Sequence, residues 1–269
     1  MFELVNKNGV CYFKSTLIKS THAFSTRVGG VSTLSHTESL NLAFGRGDEH
    51  ETVMKNVEVF ANAIGVDQKK IISVPQIHSN EVKLVSENEA GFGVFKKSTF
   101  ECDGYVTEVS GLPIGVKTAD CVPILLEARD KNGAVVAVSA VHAGWRGTAQ
   151  SIAVKALEKL CSLGAELEDI YVAIGACIDE CCYEVGEDFA CAISEKLGQN
   201  YENEFVKRQT DGTLHANLKG MNVSLLQKAG VPVSNIDVSP YCTCCSPELF
   251  YSHRRQKGQR GAHINLICK

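Results

Sequence analysis

The sequence predicts an α+β fold with mixed or antiparallel sheets, in one continuous domain over residues 1–269. Short β-branched or apolar runs outnumber amphipathic helical segments, and several neighbouring runs lie close enough in the chain to form hairpins. Strands and helices do not alternate regularly, as they would in a doubly wound parallel sheet. Because no repeat, low-complexity tract or Pro/Ser-rich linker interrupts the chain, we expect a single core.

The predicted strands are the apolar runs bounded by turn residues. They are VCYF (10–13), HAFST (22–26), IISV (71–74), EVKLVS (81–86), GYVT (104–107), PIGVKT (113–118), PILLEA (123–128), AVVAVSAV (134–141), IYVAIG (170–175), NIDVS (235–239) and HINLI (263–267). Helical periodicity predicts helices over Glu51–Ile64, Trp145–Leu163 and Leu218–Ala229. A glycine closely follows each of these segments, as expected at a helix C-terminus.

The bulk composition excludes several classes of protein. A net charge of −4 and a pI near 6.1 argue against a nucleic-acid or membrane-surface binder. No apolar run reaches about 18 residues, the length that suggests a membrane span. The first residues lack the charged leader and apolar segment of a secretory signal, so we expect a cytoplasmic protein whose 12 Cys are mostly reduced. We also expect a monomer or a weak homodimer.

The segment HAGWRGT (142–148) joins the most apolar strand to a long helix. Its two glycines permit a tight turn and a close backbone approach. The helix N-terminus beyond them offers free N–H groups suited to an anion such as phosphate, and Arg146 and Thr148 add donors. A single His at such a junction is usually structural. Here His142 stands among Trp, Arg and Gly residues, which favours a functional role.

Three separate segments supply the ligands of a catalytic zinc site. Cys121 follows Asp120 and precedes Pro123, at a bend where a strand begins or ends, so it is either a metal thiolate or a nucleophile. His78 lies in a polar turn and, taken alone, reads as a solvated residue. Together with His142, these residues form a two-imidazole, one-thiolate set with a fourth position open for water. Zinc would lower the pKa of that water towards about 7.

Other residues are weaker candidates. Asp103, in the turn pair Asp103-Gly104, is a catalytic or ligand-orienting carboxylate only if it faces the same cavity. Cys177 follows a predicted strand and is expected to line that cavity. The clusters Cys177-x-x-x-Cys181-Cys182 and Cys242-x-Cys244-Cys245 offer enough thiolates for a zinc or iron–sulfur site. Together they lack the paired Cys-x-x-Cys spacing typical of such sites, so buried thiols or disulfides remain alternatives.

The order of several motifs along the chain resembles one family. The motifs are STRVGGVS, SLNLAFG, QIHSNEV, DGYVT, TADCVPILL, HAGWRGT, IGACIDECCYEV, CTCC and FYSHRR with GQRG, and they extend over roughly residues 21–267. This pattern is similar to the YlmD/YfiH laccase-domain proteins, some of which are described as purine nucleoside phosphorylases. The segments TADC and HAGWRG in this order are the most specific part of the resemblance.

The resemblance implies an α/β sandwich of the YfiH-like type, also named a cysteine hydrolase fold. It implies zinc bound by His78, Cys121 and His142, with these residues and Asp103 in catalysis. It also implies phosphorolysis of adenosine, inosine, guanosine or methylthioadenosine, with some adenosine deamination. The expected substrate contacts, including those to phosphate oxygens, are Arg27, Asn41, Arg146, Cys177 and Arg254.

Three alternatives remain open. In the first, Cys121 is the nucleophile and His142 the base of a metal-free hydrolase that cleaves an amide, for example in a cell-wall precursor. In the second, the protein is a scaffold with a structural zinc. In the third it is a copper-dependent polyphenol oxidoreductase, which needs many imidazoles in His-x-His pairs, whereas this chain has 8 His and no such pair. Because His and Cys ligands bind Cu²⁺ strongly, we expect adventitious copper binding.

Overall fold

Two β-sheets packed face to face form the centre of the fold in the computed structural model, which describes residues 1–269. The first sheet is antiparallel throughout. Its strands, in spatial order, are β1 (Phe2–Lys7), β2 (Val10–Ser15), β3 (Thr21–Ser25), β14 (His263–Cys268) and β6 (Ile114–Thr118). The second sheet is mixed. Its order is β13 (Ile236–Val238), β9 (Ile170–Ile174), β7 (Val122–Arg129), β8 (Val135–Ala143), β5 (Gly104–Thr107) and β4 (Val82–Leu84).

Helices cover the outer face of each sheet, which gives four layers. Helix α1 (His50–Ile64) packs its buried face on the first sheet. The second sheet is covered by α2 (Trp145–Ala149), α3 (Ile152–Ser162), α4 (Glu187–Leu197), α5 (Gln199–Phe205) and α6 (Leu218–Lys228). A small sheet of β10 (Glu184–Val185), β12 (Leu214–Ala216) and β11 (Val206–Arg208) lies beside them. No helix combines the length and the apolar character that spanning a bilayer requires.

The predicted class of mixed and antiparallel sheets is confirmed. The strongest patterns gave the most accurate elements: the run GYVT forms β5, and the run AVVAVSAV forms most of β8. Strand β8 is central, with β7 on one side and β5 on the other. Its side chains are therefore buried on both faces, which explains the continuous apolar run.

The structure corrects two predicted elements. The run IISV (71–74) is not a strand, because its only bridge joins Ile72 to Ile114, although all four residues are buried. Such short buried runs cannot be assigned by periodicity alone. The predicted helix Trp145–Leu163 is two helices, because Ser151 adopts a left-handed conformation with φ of 57°. The sequence reading also missed β1, the small sheet, α4 and α5, which are mostly short or polar elements.

Candidate metal centre

The fold brings the three predicted ligands together from three separate segments. The ligand atoms of His78, Cys121 and His142 all lie within 4.8 Å of one another. His78 lies in the loop before β4, Cys121 directly precedes β7, and His142 is near the end of β8. Strands β7 and β8 pair so that Pro123 faces His142, which places the thiol beside the end of the neighbouring strand. The centre therefore lies where the central strands β7 and β8 meet, at one end of these strands.

Asp103 connects the two imidazole ligands. Its buried carboxylate accepts hydrogen bonds from the backbone N–H groups of Ile77, His78 and Ser79, at 3.2, 3.0 and 2.7 Å, and from the Ser79 hydroxyl at 2.8 Å. The same carboxylate lies 2.7 Å from Nδ1 of His142. This contact directs Nε2 of His142 towards the centre. Asp103 thus orients the ring of His142 directly and fixes the backbone that carries His78, as outer carboxylates do at metal sites.

The ring of His78 depends on a strained backbone. His78 has a φ of 59°, a region that costs free energy for residues other than glycine. The three consecutive N–H groups that bind Asp103 hold the loop in this conformation. Strain at a residue that projects into a cluster of ligands indicates a functional requirement for its orientation.

The ionisable groups of the centre shift one another's pKa values. Burial opposes ionisation of Asp103, but hydrogen bonds from His142 and Ser79 outweigh it and lower its pKa to about 2. Burial also opposes ionisation of Cys121, yet the charge of His142 and hydrogen bonds from both rings lower its pKa to about 6. The pKa of His142 rises to about 9 because Cys121 and Asp103 outweigh its burial. At neutral pH Cys121 is therefore a thiolate.

The residues present fit a transition-metal ion. Two imidazoles and one thiolate are ligands for borderline divalent ions such as zinc and copper. Gly144 adds an independent observation, since a Cβ built there would lie 2.9 Å from Cδ2 of His78 and 3.5 Å from both Sγ of Cys121 and Cε1 of His142. Gly144 thus leaves space beside the three ligands, and any larger side chain at this position would fill that space.

Asp120 positions Cys121 from the opposite side of the turn. Asp120 has a φ of 93°, and its carboxylate accepts hydrogen bonds from the Thr243 hydroxyl at 2.6 Å, the Ser252 hydroxyl at 3.0 Å and the Arg254 N–H at 2.7 Å. The adjacent thiol is therefore fixed by contacts that reach more than a hundred residues along the chain. The sequence pattern predicted no role for Asp120 beyond its place next to Cys121.

The three ligands open onto a cavity of about 1180 Å³. Its cationic side chains are mainly ones that the sequence reading did not select: Arg46, Lys96, Lys97, Lys117 and Arg260. Burial lowers the pKa of Arg260 to about 10, with the nearby charge of Arg46 acting in the same direction. The Nε atom of Arg260 is buried without a hydrogen-bond partner. Arg260 as a whole is half-buried, and a buried guanidinium donor that lacks a partner suits an anionic ligand.

Three predicted substrate contacts lie away from this cavity. Asn41 is fully buried, its amide binds Ala43, Asp48 and Ala262, and it does not line the cavity. Cys177 is also fully buried, packs in the core of the mixed sheet and does not line the cavity.

Arg27, the third of these contacts, donates to the carbonyl of Pro247 at 3.1 Å and lies over the ring of Tyr251. Its guanidinium therefore ties the segment around residue 27 to the C-terminal region. Sequence order placed it in a Gly- and Ser-rich loop with the composition of an anion site. The composition of the loop cannot show that the Arg27 guanidinium donates its hydrogen bonds to carbonyl groups of the chain itself.

Arg146 and Arg254 lie close to the centre but outside the cavity lining. Burial raises the pKa of Tyr183; the Cys121 thiolate adds to this effect, and the two guanidinium groups oppose it. Tyr183 therefore lies near Cys121 and both arginines, and the Arg254 guanidinium lies over its ring. Arg146 is exposed and lies over the ring of Trp145. Arg254 donates to the carbonyl of Glu184 at 2.8 Å.

Comparison with known proteins identifies the family. Residues 21–269 match the family described as multi-copper polyphenol oxidoreductase laccase. The chain belongs to this family. It is 35% identical over 240 residues to a protein from an unknown prokaryotic organism named adenosine deaminase RL5, covering 88% of this chain and 90% of the relative. It is 36% identical over 241 residues to the purine nucleoside phosphorylase of Deinococcus radiodurans, covering 89% and 85% of the two chains.

A solved structure of this laccase-like family supports the assignment. The crystal structure of YlmD from Geobacillus stearothermophilus superposes with a TM-score of 0.87 and 28% identity, over 100% of this chain and 98% of that one. The predicted resemblance to YlmD and YfiH is therefore confirmed, as is the mixed α/β fold. Relatives of this laccase-like protein carry the names of enzymes that act on nucleosides, whereas the family description names a copper oxidase.

Proposed function

We propose that the protein is a zinc-dependent purine nucleoside phosphorylase that also deaminates adenosine. The observation that carries this proposal is a His₂Cys ligand group opening onto a large cavity with unpaired cationic side chains. The substrates are adenosine, inosine, guanosine and methylthioadenosine, with phosphate as the second substrate. The names of the relatives support this class of reaction. We further propose that residues 1–269 act as one catalytic domain in the cytoplasm, as a monomer or weak homodimer.

His78, Cys121 and His142 are the residues that would hold the zinc. When bound, the ion would supply Lewis acidity and activate water for attack at C6 of adenine. Asp103 keeps Nδ1 of His142 occupied, so Nε2 is the atom available to the centre. The same residue fixes the His78 loop, and Asp120 fixes the Cys121 turn. These contacts hold the three ligand side chains in position even without the ion.

Arg46 and Arg260 are the proposed phosphate contacts. Neither guanidinium forms an ion pair with a carboxylate of the chain, and both line the cavity that the ligands open onto. Lys117 adds a third positive charge there, although burial lowers its pKa to about 8. Bidentate donors suit phosphate oxygens. Arg146 and Arg254, which lie near Cys121 outside this cavity, remain proposed as further contacts to the nucleoside.

In phosphorolysis the cavity residues hold the phosphate and the nucleoside next to each other. A phosphate oxygen forms a bond to C1 of the ribose while the bond from C1 to the purine nitrogen breaks, and the departing purine takes up a proton. The arginines hold the phosphate and spread its charge, and the cavity keeps the sugar beside it. Known ligand pockets of about 300–1,000 Å³ enclose one drug-sized ligand, so a cavity of about 1180 Å³ has room for a nucleoside and phosphate together.

The test measures base release from inosine with and without phosphate. We expect release only with phosphate, its loss after chelation and its return on adding zinc. The variants Arg46→Met and Arg260→Met should raise the KM for phosphate roughly tenfold or more, because each removes a charged hydrogen-bond donor. The matched control is Arg208→Met, since Arg208 forms an exposed pair with Glu187. Equal rates of cleavage without phosphate would refute the phosphorylase assignment.

One observation supports a second function. Cys121, His142 and Asp103 form a thiolate–imidazole–carboxylate series of the kind found in cysteine hydrolases. This arrangement suits a metal-free enzyme that cleaves an amide with Cys121 as nucleophile. Such an enzyme would lose activity on thiol alkylation and would keep it after chelation. Elemental analysis of freshly purified protein separates the two functions, because the phosphorylase proposal requires bound zinc.

A further inference from the structure

We propose that Cys181, Cys182, Cys242 and Cys245 bind a second zinc ion, with a structural role. Their sulfur atoms all lie within 4.8 Å of one another. None of them belongs to the group around Cys121, and no step of the proposed reaction uses them. The site therefore stands independently of the proposed function.

The distances fit a single tetrahedral ion. The Sγ atom of Cys245 lies 3.5 Å from that of Cys181 and 3.3 Å from that of Cys182, and the latter two are 3.7 Å apart. In a tetrahedron with zinc–sulfur distances of about 2.3 Å the sulfur atoms are about 3.8 Å apart. An iron–sulfur cluster places several atoms between its cysteines and needs wider spacing. Cys242 and Cys245 also have Cys-x-x-Cys spacing, which the sequence reading did not recognise.

The fold holds the two cysteine-bearing segments together without the ion. Cys177 and Cys242 form a parallel bridge, and the Thr243 N–H donates to the Cys177 carbonyl at 2.9 Å. The buried Lys219 ammonium donates to the Asp179 carboxylate at 2.9 Å and to the carbonyl of Tyr241 at 3.3 Å. Lys219 thus joins the segment before Cys181 to the segment before Cys242. A site prepared in this way requires little reorganisation to bind metal.

The surroundings also suit a negatively charged centre. Four thiolates and one divalent ion carry a net charge of −2, and binding releases the protons of the four thiols. Three cations lie nearby: Lys219, Arg254, which donates to the carbonyls of Cys182 and Glu184, and Arg255, which donates to those of Thr243 and Cys244. The backbone N–H of Asp179 donates to Sγ of Cys242 at 3.4 Å. Outer contacts of this kind accompany metal-bound ligands.

The second site is coupled to the first through Asp120. Thr243, between two of the cysteines, donates its hydroxyl to the Asp120 carboxylate at 2.6 Å. Arg254 donates its N–H to the same carboxylate at 2.7 Å and its guanidinium to the Cys182 segment. Asp120 precedes Cys121. The second zinc would therefore anchor the Thr243 loop, which contacts Asp120 directly, and the Cys182 segment, which contacts Asp120 through Arg254.

The experiment counts zinc in the Cys121→Ser variant, prepared with a thiol reductant and without chelator. Because this variant lacks one ligand of the first centre, the second site is measured on its own. We expect one zinc per chain, its loss on adding Cys245→Ser, and its retention on adding Cys244→Ser instead. Cys244 is the matched control because it lies in the same loop but outside the group of four. Cobalt in place of zinc should show the absorption of a tetrahedral thiolate site.

A second measurement applies even if Cys245→Ser fails to fold. In the folded Cys121→Ser protein, zinc should protect the exposed Cys181 and Cys245 from alkylation, and chelation should remove that protection. The exposed Cys191 should react at the same rate in both states. The proposal is overturned if Cys181 and Cys245 react equally fast with and without zinc. A disulfide among the four cysteines that persists in the presence of the thiol reductant, or iron in place of zinc, would also overturn it.

Discussion

Asp103 is the residue on which the geometry of the first centre most depends. It is fully buried, and its two oxygens accept from the His78 loop and from the His142 ring. A buried carboxylate is unfavourable unless its hydrogen bonds compensate for lost hydration. Here five donors do so, and each also orients a group of the centre.

Replacing Asp103 by Asn should weaken zinc binding. The amide keeps the size of the side chain but loses the charge that holds the Nδ1 proton of His142. We expect zinc affinity to fall about 10- to 100-fold, the usual range for outer contacts of metal ligands. Competition with a chromogenic chelator measures this affinity. Asp130→Asn is the control, because Asp130 accepts backbone hydrogen bonds in a distant turn. Unchanged affinity in Asp103→Asn would show that the carboxylate does not support the centre.

The glycine beside the ligands leads to a second prediction. Gly144 has a φ of −67°, so alanine fits the backbone, but its Cβ would lie 2.9 Å from the His78 ring. We expect Gly144→Ala to displace that ring, to lower thermal stability, and to lower zinc affinity at least about tenfold, as other disrupted outer contacts do. In a His78→Ala background the same change should have no further effect on thermal stability, because the ring it meets is absent. An equal loss of thermal stability in both backgrounds would show that the new Cβ clashes with a group other than the His78 ring.

The sequence allowed prediction of the ligands but not of the cavity around them. His78, Cys121 and His142 could be predicted because together they form a two-imidazole, one-thiolate set, and because their motifs follow a family pattern. Asp103 was read as part of an ordinary turn pair, because only the folded chain shows which groups its carboxylate meets. Arg46 was missed because an isolated arginine in a loop carries no local signal, and Arg260 was quoted only as part of the GQRG motif, without a role at the site. Arg27 and Asn41 were chosen on composition, and internal hydrogen bonds satisfy both.

At the scale of elements, the break between α2 and α3 directs the segment after His142. Ser151 has φ and ψ of 57° and 42°, and its N–H donates to the Thr148 carbonyl. This turn lets α2 stay beside the ligands while α3 packs on the mixed sheet. Helical periodicity continues across the break, so the pattern predicted one helix.

Substitution at Ser151 should change stability in opposite directions. Left-handed backbone costs non-glycine residues roughly 1–2 kcal/mol, so we expect Ser151→Gly to raise the free energy of unfolding by about 0.5–1 kcal/mol after its own entropic cost. Ser151→Val should lower it by about 1 kcal/mol or more, because β-branched residues tolerate this region least. Denaturant titration measures the free energy of unfolding of both variants and so gives the order of their stabilities. A higher free energy of unfolding for Ser151→Val than for Ser151→Gly would contradict the left-handed conformation of Ser151.

At the scale of the whole molecule, two buried histidines limit stability in acid. His22 accepts from the Ser15 N–H through Nε2 and contacts the Ser20 carbonyl through Nδ1, which fixes a neutral ring. Burial lowers its pKa to about 4. Burial also lowers the pKa of His263 to about 3. Because the unfolded chain binds these protons near the ordinary pKa of about 6.5, acid favours unfolding.

Stability should therefore fall as the pH drops from about 6.5 towards 4, by about 1.4 kcal/mol per pH unit for each such histidine. The sign follows because the folded-state pKa is the lower one, so the unfolded state binds more protons throughout this range. Unfolding of chelator-treated protein at several pH values measures the slope without a contribution from metal release. His22→Gln keeps a donor and an acceptor but does not titrate. It should therefore reduce the slope of the unfolding free energy against pH by about the contribution of one histidine. An unchanged slope would exclude His22 as a contributor.

The separation of the three ligands along the chain has a consequence for biosynthesis. Position 78 emerges from the ribosome long before position 142, and the pairing of β7 with β8 is what sets Cys121 beside the last ligand. A nascent chain that ends before residue 142 has only two of the three donor groups. Tight capture of the ion is therefore a late event that follows sheet assembly, and the rate of metal uptake during refolding should report completion of the β7–β8 pair.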